Sequence, residues 1–347
     1  MNTLLQIVPH APSSHDGVSD YALKLAERLQ THYGVETKFA VSPLDSVANN
    51  GPRNVVLHYV NYGYHKRGLP LQLPSTLRQL RETCGGKLLT VFHELYASSP
   101  PWQSAFWLQP IQKSIARNIA RISDACVVSS DVMRDMLQQL APGASISVHP
   151  VMSTLGEPTF SSDQFVRRDP HRWVIFGGTH LVKRSLKSFR QRIEVIPDFF
   201  SPRELFVLGG SDSHAVRDEI NEIRGINCYY QPAIEANVAS DVLSSCSFAW
   251  IDYFHQPSVP TAVILKSGSF ASHCAHGVIP VLPHEGSVIA LRGERLPGPY
   301  FVETARTNLP ALADRAKISA DIYEWYRRHS SIEHLAKTVA ATLQMNP

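Results

Sequence analysis

The chain has 347 residues, of which 44% are hydrophobic and 18% are charged. This composition excludes disordered and fibrous proteins. The length exceeds the roughly 250–300 residues at which a single hydrophobic core stops growing, so we expect two domains. Lys and Arg outnumber Asp and Glu by only 33 to 30, which is too small an excess for a nucleic-acid-binding surface. Five widely spaced cysteines, and the lack of an apolar run of about 18 residues, predict a reduced cytoplasmic protein without a transmembrane helix.

The first half of the sequence alternates apolar runs with helical periodicity. Leu4–Val8 predicts a strand, and this run is too short, and lacks the basic flank, for a signal peptide. Apolar residues at 3/4 spacing after Gly17 predict a helix that ends at Gly34. Further strands are predicted at Asn54–Val60, Leu88–Phe92, Ala125–Ser129 and Ile146–His149. Such alternation favours a parallel sheet covered by helices on both faces.

The alternation stops in residues 156–172, a polar segment with prolines that we predict to be a linker. It resumes with strands predicted at Trp173–Gly177, Glu204–Leu208, Asn227–Tyr230, Phe248–Asp252, Ile279–Leu282 and Tyr300–Val302. The sequence therefore predicts an α/β protein with two tandem Rossmann-like, doubly wound domains, residues 1–155 and 173–320. C-terminal helices follow in residues 321–347. Ligands of such sheets bind beyond the carboxyl ends of the strands.

Several well-known site signatures are absent or incomplete. The loop after the first strand holds one glycine, Gly17, which excludes the dinucleotide motif G-x-G-x-x-G, and the chain has no P-loop. Ser211 lacks the second glycine of a nucleophile elbow, so an ordinary strand-to-helix turn is favoured. His273 and His276 are spaced to share a metal ion, but no third ligand stands at a diagnostic spacing. We therefore favour a helix-packing role for both histidines and predict no metal site.

The segment KSGSFASHCAHG, residues 266–277, is the most informative in the chain. Ser267 or Ser269 is suited to cap a helix, Gly268 permits a ligand to approach the backbone, and Gly277 ends the helix. A helix start presents free N–H groups and the positive end of the helix dipole, and Lys266 adds a cation. This combination fits a diphosphate, and the alternative is a capped helix with a solvated lysine.

A second cationic helix start follows the first strand of the second domain. Lys183, Arg184 and Lys187 lie early in the predicted helix of THLVKRSLKSF. Because two basic helix starts after strand carboxyl ends can converge on one pyrophosphate, a metal ion is unnecessary for neutralising its charge. The alternative is an ordinary charged surface helix.

The first domain has its own candidate residues after the strand Leu88–Phe92. His93 stands where that strand ends, a position at which active-site residues collect, although a single histidine there is more often structural. Trp102, Phe106 and Trp107 follow within a few residues. Basic residues then recur at helical spacing, at Lys113, Arg117 and Arg121. Aromatic faces stack on sugar rings, and a cationic stripe suits anionic lipid headgroups. The alternative is that the three aromatic residues pack in the core.

Four stretches together resemble the GT-B glycosyltransferases, and among them the retaining glycosyltransferase family 4. They are HDGVSDYALKLAERL, TVFHELY, FGGTHLVKRSL and KSGSFASHCAHGVIPVL. The resemblance covers both domains in their order. It implies a nucleotide-sugar donor in the second domain, an acceptor in the first, chemistry in the cleft between the domains, and a last helix that packs back on the first domain.

The resemblance also implies roles for individual residues. Gly17 matches the glycine loop near the donor phosphates, and His93 matches the histidine placed near the transferred sugar. Lys183 or Arg184 matches the lysine that clamps the donor diphosphate. Ser267, Gly268 and Ser269 match the loop and helix start that bind phosphate. We place Trp102, Phe106 and Trp107 on the acceptor side.

Three positions depart from the family pattern. Thr179 stands where members usually have Arg, and Ser272 and Ile264 occupy the two positions of the usual E-x₇-E pair. The second of these glutamates normally holds the ribose hydroxyls, so we assign no ribose-binding residue.

These observations predict a glycosyltransferase that moves a sugar from a nucleotide-diphosphate donor to a hydroxyl of a glycan or lipid-linked acceptor. The resemblance implies retention of configuration. We expect no cofactor or metal, no nucleic-acid partner, and a cytoplasmic location, with peripheral association at the inner face of a membrane. Two alternatives stay open: a non-catalytic GT-B domain that binds sugars or nucleotides, which the missing glutamates favour, and a nucleotide-sugar epimerase or hydrolase of the same fold.

Overall fold

A computed structural model describes residues 3–12, 17–41, 54–97, 102, 104–196, 198–254, 259–284, 288–298, 300–302 and 314–345. The chain forms two compact units. The first consists of Met1–Pro150 together with Ile332–Pro347, and the second of Val151–Ser331. Among the described residues, no helix is both long enough and apolar enough to cross a membrane.

The first unit contains a six-stranded parallel sheet flanked by helices. Its strands are β1 (Thr3–Ile7), β2 (Glu36–Ala40), β3 (Asn54–Tyr59), β4 (Leu88–Phe92), β5 (Ala125–Val128) and β6 (Ile146–Val148), in the spatial order β2-β1-β3-β4-β5-β6. Its helices are α1 (Gly17–Tyr33), α2 (Asn61–Tyr64), α3 (Leu73–Cys84), α4 (Ser104–Ile122) and α5 (Asp131–Leu140). The strand order reverses direction between β1 and β3, which is where sheets of this class open a ligand crevice at their carboxyl edge.

The second unit contains another six-stranded parallel sheet. Its strands are β7 (Asp169–Phe176), β8 (Glu204–Leu208), β9 (Asn227–Gln231), β10 (Cys246–Trp250), β11 (Ile279–Leu282) and β14 (Tyr300–Phe301), in the order β14-β11-β10-β7-β8-β9. A two-stranded ribbon, β12 (Ala290–Leu291) and β13 (Glu294–Arg295), precedes β14. Its helices are α6 (Ser162–Val166), α7 (Thr179–Arg192), α8 (His214–Asn221), α9 (Ala236–Ser245), α10 (Gly268–Ala275) and α11 (Arg315–His329). The order reverses between β7 and β10, so the α/β doubly wound architecture predicted from the sequence is confirmed for both units.

The core of the second unit is aromatic. The rings of Trp173 and Phe248 stack with centroids 4.8 Å apart, and Phe200 meets Phe248 edge-on at 5.0 Å. All three side chains are fully buried. Burying rings of this size contributes more to the stability of the unit than any single polar contact. These rings are therefore a main source of stability for the second sheet.

The last helix, α12 (Ile332–Leu343), belongs to the first unit. It buries Leu335, Val339 and Leu343 and packs against α1 and β4. Its C-terminal carbonyls are capped by side chains of the sheet: Asn54 Nδ2 donates to the Leu343 carbonyl at 3.0 Å and Lys87 Nζ to that of Thr342 at 3.0 Å. The carbonyl groups that a helix leaves unpaired at its end are thus satisfied by residues far away in the sequence.

The segment predicted as a linker carries regular structure. Residues 156–172 hold α6 and the first residues of β7, and they lie in the second unit. Strand β7 begins at Asp169, earlier than the apolar run suggests, because Asp169 pairs with Cys246 of β10. The sheet therefore extends a strand into residues whose side chains are polar.

Gly277, directly after α10, permits two other helices to approach. Its φ is +60°, and a Cβ atom there would lie 2.5 Å from Phe165 Cε1 of α6 and 2.9 Å from the Ser319 carbonyl oxygen of α11. We expect Gly277→Ala to destabilise the protein by about 2–4 kcal/mol, since a left-handed backbone penalty adds to a steric clash. Gly225→Ala is the matched control, because Gly225 has a φ of +74° and no atom within 4 Å of the place that a Cβ would take. The urea unfolding midpoint measures both, and equal losses for the two variants would contradict the packing argument.

Candidate functional site

Two glycine turns meet at the carboxyl edge of the second sheet. Gly177–Gly178 follow β7, and Gly209–Gly210 follow β8. The Gly177 N–H donates to the Leu208 carbonyl at 3.2 Å. A Cβ atom on Gly210 would lie 2.6 Å from the Thr179 nitrogen, and one on Gly209 would lie 2.7 Å from the Gly177 oxygen. The two turns therefore pack backbone against backbone, at a distance that only glycine permits.

The start of α10 lies over the first of these turns. Ser267 is the N-cap, and its Oγ accepts a hydrogen bond from the Phe270 N–H at 3.3 Å. A Cβ atom on Gly177 would lie 2.9 Å from Ser269 Oγ, so the hydroxyl of Ser269 faces the β7 turn. Gly268, the first helical residue, has nothing within 4 Å of where its Cβ would be. The first turn of α10 thus presents its N–H groups, and the positive end of its dipole, beside the β7 turn.

Lys183 and Lys266 supply positive charge next to these elements. Lys183 is exposed one turn into α7, and Lys266 is half-buried directly before the Ser267 cap. In the part of the chain that the structure describes, neither ammonium group pairs with a carboxylate. We call Gly177, Gly178, Ser267, Gly268 and Ser269, with Lys183 and Lys266, the candidate phosphate site.

Arg184 differs from its neighbour Lys183, because its guanidinium group is already engaged. Nε donates to the Asp252 carbonyl at 2.6 Å and Nη2 to the Tyr253 carbonyl at 2.9 Å. Asp252 Oδ1 lies 3.5 Å from Arg184 Nε and accepts a hydrogen bond from His284 Nε2 at 2.9 Å. Arg184 therefore holds the chain after β10 in place, which leaves Lys183 as the more accessible cation of the pair.

His273 of α10 and His276, the C-cap residue of that helix, are both buried. His276 Nδ1 donates to the Ser272 carbonyl at 2.7 Å, and its Nε2 accepts from the Ser240 hydroxyl at 2.8 Å. Burial lowers the pKa of His276 to about 4 and that of His273 to about 3. Both imidazoles are therefore neutral at pH 7, and both nitrogens of His276 are used in packing.

Ser272 and Ile264, the positions of the usual glutamate pair, are both buried. Ser272 Oγ lies 3.1 Å from Ser153 Oγ, and the Ser153 N–H donates to the Tyr326 hydroxyl at 2.8 Å. Tyr326 donates in turn to Glu157 Oε1 at 2.6 Å. The hydroxyl of Ser272 is therefore used within the core, and no ribose-binding residue follows from this geometry.

In the first unit, His93 begins the chain after β4 and is held on two sides. Its N–H donates to the Tyr59 carbonyl at 3.0 Å, and its Nε2 lies 3.2 Å from His58 Nδ1. The Tyr21 ring of α1 meets the His93 ring edge-on, with centroids 4.9 Å apart. Gly17 is the exposed first residue of α1, and the preceding loop residues 13–16 lie outside the described residues.

The start of α4 and the residue Trp102 before it form an exposed aromatic surface. The exposed fractions are 83% for Trp102, 36% for Phe106 and 71% for Trp107, and Ile111 is 42% exposed. We call the three aromatic residues, Trp102, Phe106 and Trp107, the aromatic stripe. They do not pack in the core, so the alternative raised by the sequence does not hold. Farther along α4 the exposed positions include Arg117 and Arg121, whereas the Lys113 ammonium group sits 4.8 Å from the centre of the Tyr96 ring.

The contacts of two residues near these sites, Thr179 and His58, were not expected from the sequence. Thr179 Oγ1 accepts from the Ser211 N–H at 2.8 Å and thereby ties the β7 turn to the β8 turn. The sequence pattern that indicates this contact is the Gly-Gly pair that follows each of the two strands. His58 was overlooked. The sequence indicates it as a polar residue within an apolar strand, one position before the strand ends.

Comparisons by sequence find no matching family model and no matching curated protein. Comparison with solved structures finds similarity over the whole chain. AviGT4, a glycosyltransferase involved in avilamycin A biosynthesis, is 14% identical with a TM-score of 0.56, over 99% of this chain and 96% of that one. Alr3699/HepE of Anabaena, solved with UDP and glucose, is 11% identical with a TM-score of 0.56, over 99% and 100%.

The N-terminal domain of trehalose-6-phosphate phosphatase from Candida albicans is also similar, with 10% identity and a TM-score of 0.56 over 100% of this chain and 97% of that one. At such identities the similarity concerns the fold alone. The chain therefore has the two-domain GT-B fold.

The buried, neutral histidines His273 and His276 make the second unit sensitive to acid. The folded-state pKa of His276 is about 4, below the 6.5 expected in the unfolded chain, so the unfolded state binds more protons between these values. Stability is therefore full above pH 6.5 and is lost as the pH falls. We expect His276 to account for a loss of about 2 kcal/mol between pH 7 and pH 5.

Urea unfolding of His276→Gln at the two pH values measures this loss. The variant should be less stable than the wild type at pH 7 but should show a flatter dependence on pH. His214→Gln, which changes an exposed histidine of α8, is the control and should keep the wild-type slope. An unchanged slope in His276→Gln would contradict the assignment.

Proposed function

We propose that the protein is a glycosyltransferase, which moves a sugar from a nucleotide-diphosphate-sugar donor to a hydroxyl of a glycan or lipid-linked acceptor. The observation that carries the proposal is the candidate phosphate site. A serine-capped helix start, two glycine turns in backbone contact and the cations Lys183 and Lys266 lie at one sheet edge. Similarity to the AviGT4 glycosyltransferase and to Alr3699/HepE, which was solved with UDP and glucose, supports the same conclusion.

The chemistry of sugar transfer requires stabilisation of a leaving diphosphate. Charge builds on its oxygens as the glycosidic bond breaks, and donors already in position stabilise that charge most strongly. The N–H groups at the start of α10 would bind the phosphate oxygens, with the Ser269 hydroxyl beside them. Lys183 and Lys266 would supply the cationic charge, so we propose that the reaction needs no metal ion. His93 would position the transferred sugar or stabilise its oxocarbenium-like state, with retention of configuration.

A non-catalytic GT-B domain is the second candidate. Ser272 and Ile264 replace the two glutamates of the retaining family 4 pattern, and Ser272 is engaged with Ser153 in the core. Such a domain would bind nucleotide or sugar without transfer. A nucleotide-release assay with a panel of nucleotide sugars, with and without a glycan extract, separates the two. Release that depends on the extract supports transfer, and donor binding without release supports the second candidate.

The lysines of the candidate phosphate site should govern nucleotide affinity. We expect Lys183→Met and Lys266→Met each to weaken binding of the preferred nucleoside diphosphate by about tenfold or more, because a charge-assisted hydrogen bond contributes about 1.5–3 kcal/mol. Lys187→Met is the control, since Lys187 is exposed one turn farther from the start of α7. Isothermal titration measures the affinities. Wild-type affinity in both site variants, or loss of activity in EDTA, would contradict the cationic clamp.

The aromatic stripe is the proposed acceptor side, and it suits peripheral association with the inner face of a membrane. Exposed Trp side chains at and before the start of α4, followed on that helix by exposed Arg, match the chemistry of an anionic lipid interface. A soluble glycan that stacks on Trp102 or Trp107 is compatible with the same surface.

Co-sedimentation with anionic phospholipid vesicles tests the membrane association. We expect wild-type protein to bind, and Trp107→Ala and the triple change of Lys113, Arg117 and Arg121 to Ala each to reduce binding at least severalfold. Tyr229→Ala is the control, because Tyr229 is a 43% exposed aromatic residue in the second unit. If the wild-type protein stays in the supernatant, the proposed association with an anionic membrane is wrong.

A further inference from the structure

Three polar side chains form a diagonal row across the centre of the first sheet. In the parallel register, Gln6 of β1 pairs with Val56 and His58 of β3 pairs with Val91. Because side chains alternate between the faces of a sheet, His58 shares a face with Val56 and therefore with Gln6. His93 shares a face with Val91 by the same rule. The row thus advances by two residues at each strand and reaches the carboxyl edge at His93.

Hydrogen bonds connect this row. His58 Nε2 and Gln6 Oε1 are 2.7 Å apart, and His58 Nδ1 and His93 Nε2 are 3.2 Å apart. Gln6 and His58 are both completely buried. Tyr21 of α1 packs edge-on against both imidazoles, at centroid distances of 5.7 Å and 4.9 Å. Gln6 Nε2 has no hydrogen-bond partner among the described residues. Breaking either bond of the row would therefore leave a further unsatisfied polar group in the core, which disfavours other arrangements of the two imidazoles.

The protons on the ring nitrogens of His58 and His93 can be placed from the acceptor at the buried end of the row, Gln6 Oε1. Burial first, and the neighbouring His93 second, lower the pKa of His58 well below its usual value, so its ring is neutral and carries one N–H. Gln6 Oε1 can only accept, which assigns that N–H to Nε2 of His58. His58 Nδ1 is then an acceptor, and the hydrogen in its bond with His93 must come from His93 Nε2.

We propose that Gln6 and His58 are positioning residues that fix His93 in the Nε2–H tautomer. Their row orients the His93 ring and makes its Nδ1 a hydrogen-bond acceptor in the neutral state. The consequence for catalysis rests on the proposed function. An imidazole whose ring is held in one orientation would position the transferred sugar, and loss of the row would let the ring reorient.

Long-range ¹H–¹⁵N spectra of the full chain, labelled at histidine nitrogens, test the tautomer without any substrate. The His93 signals are identified by their loss in His93→Gln. In the wild type we expect a protonated Nε2 and an unprotonated Nδ1 at pH 7.5. His58→Phe keeps a large buried ring but removes the acceptor, and Gln6→Met removes the carbonyl while keeping the side-chain length. Each should give a mixture of His93 tautomers.

Tyr21→Phe is the matched control, because it perturbs the same ring cluster and leaves the row intact; its spectrum should equal the wild type. The proposal is overturned if the wild type carries its proton on Nδ1 or shows both tautomers. It is also overturned if a folded His58→Phe or Gln6→Met protein keeps the wild-type tautomer.

Kinetics separate this inference from the proposed function. With an active donor, His58→Phe and Gln6→Met should lower kcat about tenfold, the effect of one lost orienting hydrogen bond, with nucleotide affinity unchanged within about twofold. Normal kcat in both variants would overturn the positioning role. A wild type that has the expected tautomer but transfers no sugar from any donor would refute the proposed function and leave the tautomer assignment standing.

Discussion

The parallel direction of all strands in each six-stranded sheet determines where chemistry can occur in this protein. In a parallel sheet every carboxyl end lies at the same edge, and the following helices begin there with unpaired N–H groups. Polar and glycine residues collect at those ends in both units, whereas the central strands are nearly continuous apolar runs. The glycine turns and His93 directly follow strand ends, and the helix that Ser267 caps begins beside the turn after β7, at the same edge of its sheet.

Backbone contact is the second constraint on the second unit. The turns after β7 and β8 approach so closely that any side chain on Gly209 or Gly210 would collide with the neighbouring backbone. The start of α10 lies close to the same edge, since Ser269 fills the space beside Gly177. The cationic side chains near this edge differ in their hydrogen-bond and ion-pair partners. Arg184 is engaged with carbonyl groups that it holds in place, whereas the ammonium groups of Lys183 and Lys266 pair with no carboxylate among the described residues.

The fold class could be predicted from the sequence because apolar strand runs and helical periods alternate so regularly. Strand β2 was missed, since an edge strand is half exposed and Glu36–Ala40 carries charged residues in place of an apolar run. Local pattern predicted a serine cap at Ser267 or Ser269, because a cap depends on a few neighbouring residues, and the structure has the cap at Ser267. The bonds of Arg184 and the partner of His93 could not be predicted, since Asp252 and His58 are distant in sequence and only the strand order brings them near. The roles of the site residues stay predictions.

The last helix has a consequence for the order in which the chain can fold as it is synthesised. Helix α12 covers α1 and β4 of the first unit, but it follows the whole second unit along the chain. A ribosome therefore releases every residue of the second unit before it releases the helix that completes the first. During that interval the apolar surface that α12 covers in the finished protein lacks this helix, and exposed apolar surface of this kind favours aggregation of partly folded chains.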